Sequence, residues 1–91
     1  MDTFHAQDLS NTAWAFATAG LQTKKVFRAI SAVSLRSIDL FRPPELANLA
    51  WAFATAEYRD AKLFTALAEQ SRLKFNKFKS NDLADLAFAF A

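Results

Sequence analysis

The apolar residues of this chain fall at helical spacing. Leu46, Leu49, Ala50, Phe53 and Ala54 take the i, i+3, i+4, i+7 and i+8 steps of one helix face. Val26, Phe27, Ile30 and Val33 form a second stripe of the same kind. Leu63, Phe64 and Leu67 form a third, which weakens at Gln70. Around Trp51 the sequence reads Ala-Trp-Ala-Phe-Ala-Thr-Ala, an alternation that a strand would also give. Alanine is the best helix former and a poor strand former, so this stretch too is read as helix.

The same words return along the chain. Glu45-Leu-Ala-Asn-Leu-Ala-Trp-Ala-Phe-Ala-Thr-Ala56 echoes Asp8-Leu-Ser-Asn-Thr-Ala-Trp-Ala-Phe-Ala-Thr-Ala19, and a shorter copy begins at Asp82. Leu9 to Leu46 and Leu46 to Leu83 are each 37 residues, and Phe4, Phe41 and Phe78 keep the same interval. Overlaying 4–40 on 41–77 gives 14 identical positions, seven of them in the unbroken block Ala13 to Ala19. A fixed period of this size marks a stacked repeat. The expected fold is therefore an all-α solenoid of helix pairs, in one segment spanning 1–91. It comprises repeats at 4–40 and 41–77 and a partial one at 78–91.

In each repeat a first helix, A, is expected to start near 7, 44 or 81. Pro44 suits the first helical position, and Ser80 is an N-cap candidate. Asp8, Glu45 and Asp82 follow, where negative charge meets the positive end of the helix dipole. Helix A should run to Ala19 or Ala56. Gly20 is a natural stop, and Glu57 replaces it in the second copy without being one. A second helix, B, should be capped at Thr23 or Asp60 and end near Leu35 or Arg36, and near Phe75. Phe41 and Phe78 would plug the turn into the next repeat. Phe16, Phe53 and Phe90 are expected in the core. Leu83, Leu86, Phe88 and Phe90 would be partly uncovered, because no helix B follows. A segment of a longer array, or a chain that covers this end by association, is therefore expected. Asp2 to Gln7 already stand in the repeat phase, so Met1 is not expected to be the natural start.

Composition sharpens this picture little. The chain has 91 residues, 53% hydrophobic, with ten Phe, one Gly and two Pro, which suits a packed helical domain. It has no Cys, which excludes disulfides and thiolate metal sites. Its apolar runs are too short to span a bilayer. The net charge of +2 says less than its placement. Lys25 and Lys62 share one repeat position. His5, Arg42 and Lys79 share another, so a basic or polar group recurs once per repeat, as phosphate tracking needs. Arg72, Lys74, Lys77 and Lys79 add a denser group, diluted by Glu57, Asp60 and Glu69. Each of these charges could equally belong to a solvated face.

A polar and aromatic stripe lies opposite the Leu/Phe face of helix A. Asn11, Asn48 and Asp85 share one position, Trp14, Trp51 and Phe88 another, and Thr18 and Thr55 a third. Asn can meet a base edge as donor and acceptor, and Asp suits an amino-bearing edge. The aromatics can stack on unpaired bases. The structural alternatives are an Asn hydrogen-bond ladder between repeats and aromatics packed between helices. His5 has only Asp8 near it, and neither a phosphate-binding loop nor a nucleophile or metal motif is present, so no catalytic, cofactor or metal residue is expected.

The unit Phe-x-x-x-(Asp/Glu)-Leu-x-Asn-x-Ala-Trp-Ala-Phe-Ala, repeated at 37 residues, resembles the octotricopeptide-type repeats of organellar RNA-binding proteins. It is also similar to the helical arrays beside RAP domains and in FAST-kinase-like and RNA-editing complex subunits. The resemblance covers essentially the whole chain. It implies a right-handed superhelix with single-stranded RNA in its concave groove, and a non-catalytic role in RNA processing or stability in a mitochondrion or chloroplast. Other subunits of such a complex are implied partners; a membrane is not. The RNA-contacting candidates are Asn11, Trp14, Asn48, Trp51 and Asp85, with Lys25, Lys62, Arg42 and Lys79 for phosphates. No RAP or nuclease-like domain accompanies the repeats. The alternative is a protein–protein scaffold of the tetratricopeptide type, which would use the same groove for a peptide or helix. Basic residues lining one groove would favour RNA, and basic residues scattered over the convex face would favour the scaffold.

Overall fold

A computed structural model of the chain describes residues 6–20 and 24–90. They are all-helical, with five α-helices and no strand. The helices are α1 (Ala6–Thr18), α2 (Lys24–Arg36), α3 (Pro43–Thr55), α4 (Ala61–Leu73) and α5 (Ser80–Phe90), and one-turn 3₁₀ segments at Ile38–Leu40 and Phe75–Lys77 precede α3 and α5. Helices α1, α3 and α5 begin at residues 6, 43 and 80, so 37 residues separate each start from the next. Phe4, His5 and Thr23 lie outside the described residues.

The helices form two layers. In the first, α1 and α5 pack along either side of α3. In the second, α2 and α4 lean on that layer and meet each other only locally. Phe27, near the start of α2, meets Phe53, near the end of α3, edge to face at 5.0 Å. At the other end, Lys74 after α4 donates to the carbonyls of Asp39 (2.7 Å) and Phe41 (2.6 Å), just ahead of α3. The two layers therefore run antiparallel.

Burial records the stacking order. Positions 10, 13 and 17 of α1 form one flank, and Ser10, Ala13 and Ala17 are buried. Their counterparts Ala47 and Ala50 on α3 are buried too, while Ala84 and Ala87 on α5 are exposed. On the opposite flank, Asp8 and Ala15 of α1 are exposed, Glu45 and Ala52 of α3 are buried, and Asp82 of α5 is buried. Among the described helices, α3 alone is covered on both flanks. The flank positions are mostly alanine or serine, which lets helix axes approach closely. Leu46, Leu49 and Phe53 point to the second layer, where Phe27, Ile30, Leu63 and Leu67 meet them in one core.

Helix A starts one residue earlier than the proline suggested. Pro43 and Pro44 occupy the first two positions and Arg42 is the N-cap; Ser80 is the first residue of α5, not its cap. The reason lies in the acids. Glu45 Oε1 accepts from the Arg42 N–H at 2.8 Å, and Asp82 Oδ2 accepts from the Lys79 N–H at 3.4 Å. Each acid reaches back to the residue before its helix, as the second half of a capping box does. Asp60 caps α4 as its residue type predicts: Oδ1 accepts from the Leu63 N–H at 3.1 Å. Its other oxygen accepts from the Ser31 hydroxyl of α2 at 2.5 Å, tying the two helices of the second layer. Helix α4 ends at Leu73, two residues short of the expected Phe75, which opens the 3₁₀ turn instead. The core expectation fails at Phe90, which is 45% exposed because nothing packs beyond α5; Phe53 is fully buried, Phe16 half-buried, and Leu86 better covered than expected.

The end of α3 explains how Glu57 stands in for Gly20. Gly20 has φ +75° and Glu57 has φ +59°, so both adopt the left-handed conformation. The Tyr58 N–H donates to the Phe53 carbonyl and the Glu57 N–H to the Ala54 carbonyl, each at 3.1 Å. These are the two bonds of a Schellman stop, and Tyr58 packs its ring on Phe53, 5.8 Å away, as that motif's apolar contact. The left-handed residue carries a steric cost of about 1–2 kcal/mol when it has a Cβ. Glu57→Gly should therefore raise unfolding stability by about 1 kcal/mol in urea denaturation, with an unchanged m-value. A loss of stability would show that the Glu57 side chain contributes more than its backbone costs.

Candidate functional site

The polar and aromatic stripe of helix A lies on the outer surface of the first layer. Trp51 and Phe53 are two residues apart, about 200° around a helix. Because Phe53 is buried toward α2 and α4, Trp51 faces away from them. Pro44, Asn48, Trp51 and Thr55 thus form the one face of α3 that retains contact with solvent. Asn11, Trp14 and Thr18 continue it on α1, and Asp85 and Phe88 on α5.

The aromatics of this face touch one another across the helices. The Trp14 and Trp51 rings stack with centroids 6.3 Å apart and planes 30° from parallel. Trp51 and Phe88 lie 6.4 Å apart at 35°. The result is a ladder of three rings, one per A helix, running across the helix axes. Trp14 stays 46% exposed and Phe88 55% exposed, while Trp51 between them is half-buried. The two readings of these residues are therefore compatible: the rings pack between helices and still present surface.

Beside the ladder run Asn11, Asn48 and Asp85. Within the described residues, none of the three side chains makes a hydrogen bond or ion pair with another protein group. The ladder of Asn bonds between repeats is absent, and these donors and acceptors remain available on an open surface. Thr18 returns its hydroxyl to the helix, donating to the Trp14 carbonyl at 2.7 Å. Thr55 buries its hydroxyl without a partner.

The basic candidates do not gather in one place. Lys25 and Lys62 are the second residues of α2 and α4, at the end where α1 and α3 finish. Arg42 and Lys79 precede α3 and α5, at the opposite end. A 13-residue helix separates the two groups by about 20 Å. All four are exposed and flank the stripe from its two ends. Arg42 lies 3.7 Å from Glu45, with a side chain that is 78% exposed.

The denser basic group around residue 75 dissolves on inspection. Arg72 pairs with Glu69 at 2.7 Å, and the Lys74 ammonium is engaged by two backbone carbonyls. Lys74 is a structural residue that fastens α4 to the preceding turn. Its counterpart in the first repeat is Ser37, so the repeat pattern offered no signal for this role. Among the described residues no group of three or more His, Cys, Asp or Glu is placed to hold a metal ion, and no helix is long and apolar enough to cross a membrane.

No family model, curated protein or solved structure matches the chain.

The ladder's energetics differ along its length. Trp51 has two ring neighbours and Trp14 one. Trp51→Ala should cost roughly 3 kcal/mol, as for a large aromatic removed from a packed site. Trp14→Ala should cost about 1 kcal/mol, the worth of one aromatic pair. Urea denaturation of the two variants tests this order, and equal losses would show that the rings do not act as a ladder.

Proposed function

We propose that the chain is a non-catalytic RNA-binding module, an α-solenoid segment of 37-residue helix-pair repeats. Single-stranded RNA would cross α1, α3 and α5 along the outer face of the first layer. The observation that carries this reading is the row Asn11, Asn48 and Asp85, free of protein hydrogen bonds beside an aromatic ladder. One base-edge reader and one ring recur per helix, which fits helical-repeat recognition of about one base per repeat. The basic residues support it in a modified form. A strand crossing the three helices would pass between two basic ends, with Lys25 and Lys62 on one side and Arg42 and Lys79 on the other. The close packing of the first layer against the loose second layer would also bend the array so that this face is concave. The resemblance to octotricopeptide-type repeats adds the setting: RNA processing or stability in a mitochondrion or chloroplast, beside other subunits of an RNA-processing complex.

Fluorescence anisotropy with labelled single-stranded RNA tests the proposal. Log affinity should fall linearly with log salt, with a slope of about 0.7 per phosphate contact for a single strand. Lys62→Ala should reduce that slope by about one contact. Asn48→Ala should weaken binding without changing the slope, because it removes a base contact and not a phosphate contact. Absence of binding at 20 mM salt, taken as roughly the low-salt regime where this term is strongest, would overturn the RNA reading and leave the scaffold reading standing.

A further inference from the structure

The far side of α4 and α5 carries a groove of about 690 Å³, whose walls include Ser71, Phe75, Leu83, Leu86 and Phe90. Moved back by 37 residues, these walls are Ser34, Ile38, Leu46, Leu49 and Phe53. That is the surface on which α4 sits, since α4 rests on α2, α3 and the Ile38–Leu40 turn. There, Ser34, Leu46, Leu49 and Phe53 are fully buried. In the groove, Phe75 is 62% and Phe90 45% exposed.

A second correspondence lies at the end of the groove. Phe64 and Phe90 meet edge to face at 5.4 Å and 88°, as their counterparts Phe27 and Phe53 do at 5.0 Å and 87°. Tyr58 covers the first pair, stacked on Phe27 at 6.1 Å. The second pair borders an open cleft of about 500 Å³. The two openings are thus continuous with one seat, shaped for an aromatic residue and the helix that follows it.

We propose that this seat docks an amphipathic helix of a partner polypeptide with the α4 pattern. The chain itself supplies the template for that pattern. Tyr58 fills the aromatic position, Leu63 follows five residues later, and Leu67 four residues after that, with Asp60 as the helix cap. A second copy of this chain is a poor occupant. Its Leu63 and Leu67 are fully buried in their own core, and its Phe27 and Ile30 are buried as well, so neither second-layer helix is free to be offered. The seat lies on a different surface from the Asn–Trp stripe and does not depend on RNA binding.

The probe is a synthetic peptide carrying residues 58–74, titrated against the whole chain by fluorescence anisotropy. Saturable binding is expected, weakened at least tenfold by Leu63→Asp or Leu67→Asp in the peptide. On the chain, Phe75→Asp should weaken it at least tenfold, while Leu40→Asp, at an exposed residue outside the seat, should leave it unchanged. Circular dichroism of both chain variants verifies that each is folded; Phe75 is exposed, so its loss leaves the core intact. Absence of saturable binding would overturn the proposal. So would binding indifferent to Phe75→Asp, because the peptide would then be replacing α4 in its own seat. Sedimentation showing that the chain dimerises and that Phe75→Asp abolishes the dimer would assign the seat to a second copy and overturn it too.

Discussion

The close approach of three A helices is the constraint on which the rest of this molecule depends. It is made possible by small residues on both flanks of α3, where Ala47, Ala50 and Ala52 are fully buried. Larger side chains at these positions would force the axes apart, and over-packing of this kind typically costs 1–3 kcal/mol. The same spacing brings the Trp14, Trp51 and Phe88 rings within about 6 Å of their neighbours. It also aligns Asn11, Asn48 and Asp85 in a row. The outer face is thus a by-product of how the alanines let the helices meet.

The second layer obeys a different rule. Helices α2 and α4 scarcely touch each other and are held instead by specific links. Asp60 joins the two through the Ser31 hydroxyl, and Lys74 reaches back to the carbonyls of Asp39 and Phe41. These links stand where the repeat is least regular. Ser31 becomes Ala68, and Lys74 replaces Ser37. The identical words of the sequence build the first layer, and the differences between copies fasten the second.

This division explains what the sequence disclosed. Residues seen twice at one position, such as Phe16 and Phe53, announced a helix face, and Phe53 takes the buried place this implies. The Asn and Trp stripe was equally visible, because it lies half a helical turn from the Leu/Phe face. Residues whose role needs a partner from another element were not legible. Nothing local marks Lys74 as a carbonyl ligand, because Asp39 and Phe41 lie more than 30 positions away. Glu57 was opaque for another reason. Its left-handed backbone is imposed by the two bonds of the helix stop and the Tyr58–Phe53 contact, while its residue type argues against that conformation. Phe90 shows the converse, a repeated core residue left 45% exposed because its cover belongs to a neighbour.

Magnitudes decide how the open face and the open end relate. A base stacked on an aromatic is worth about 1–3 kcal/mol, so three rings in a row supply roughly 3–9 kcal/mol. Association itself costs on the order of 4–15 kcal/mol. Three positions therefore leave little net affinity, and the rings also spend part of their surface on one another. An interface of this design gains strength by extension, since each further position adds its increment while the association cost is met once. The direction open to extension is the far side of α5, where Ala84 and Ala87 are exposed on the flank that α1 and α3 bury, and where the seat of an α4-type helix stands open. Recognition and assembly thus draw on the same geometry: the spacing that sets one ring beside the next also shapes the surface on which the next helix pair would stack.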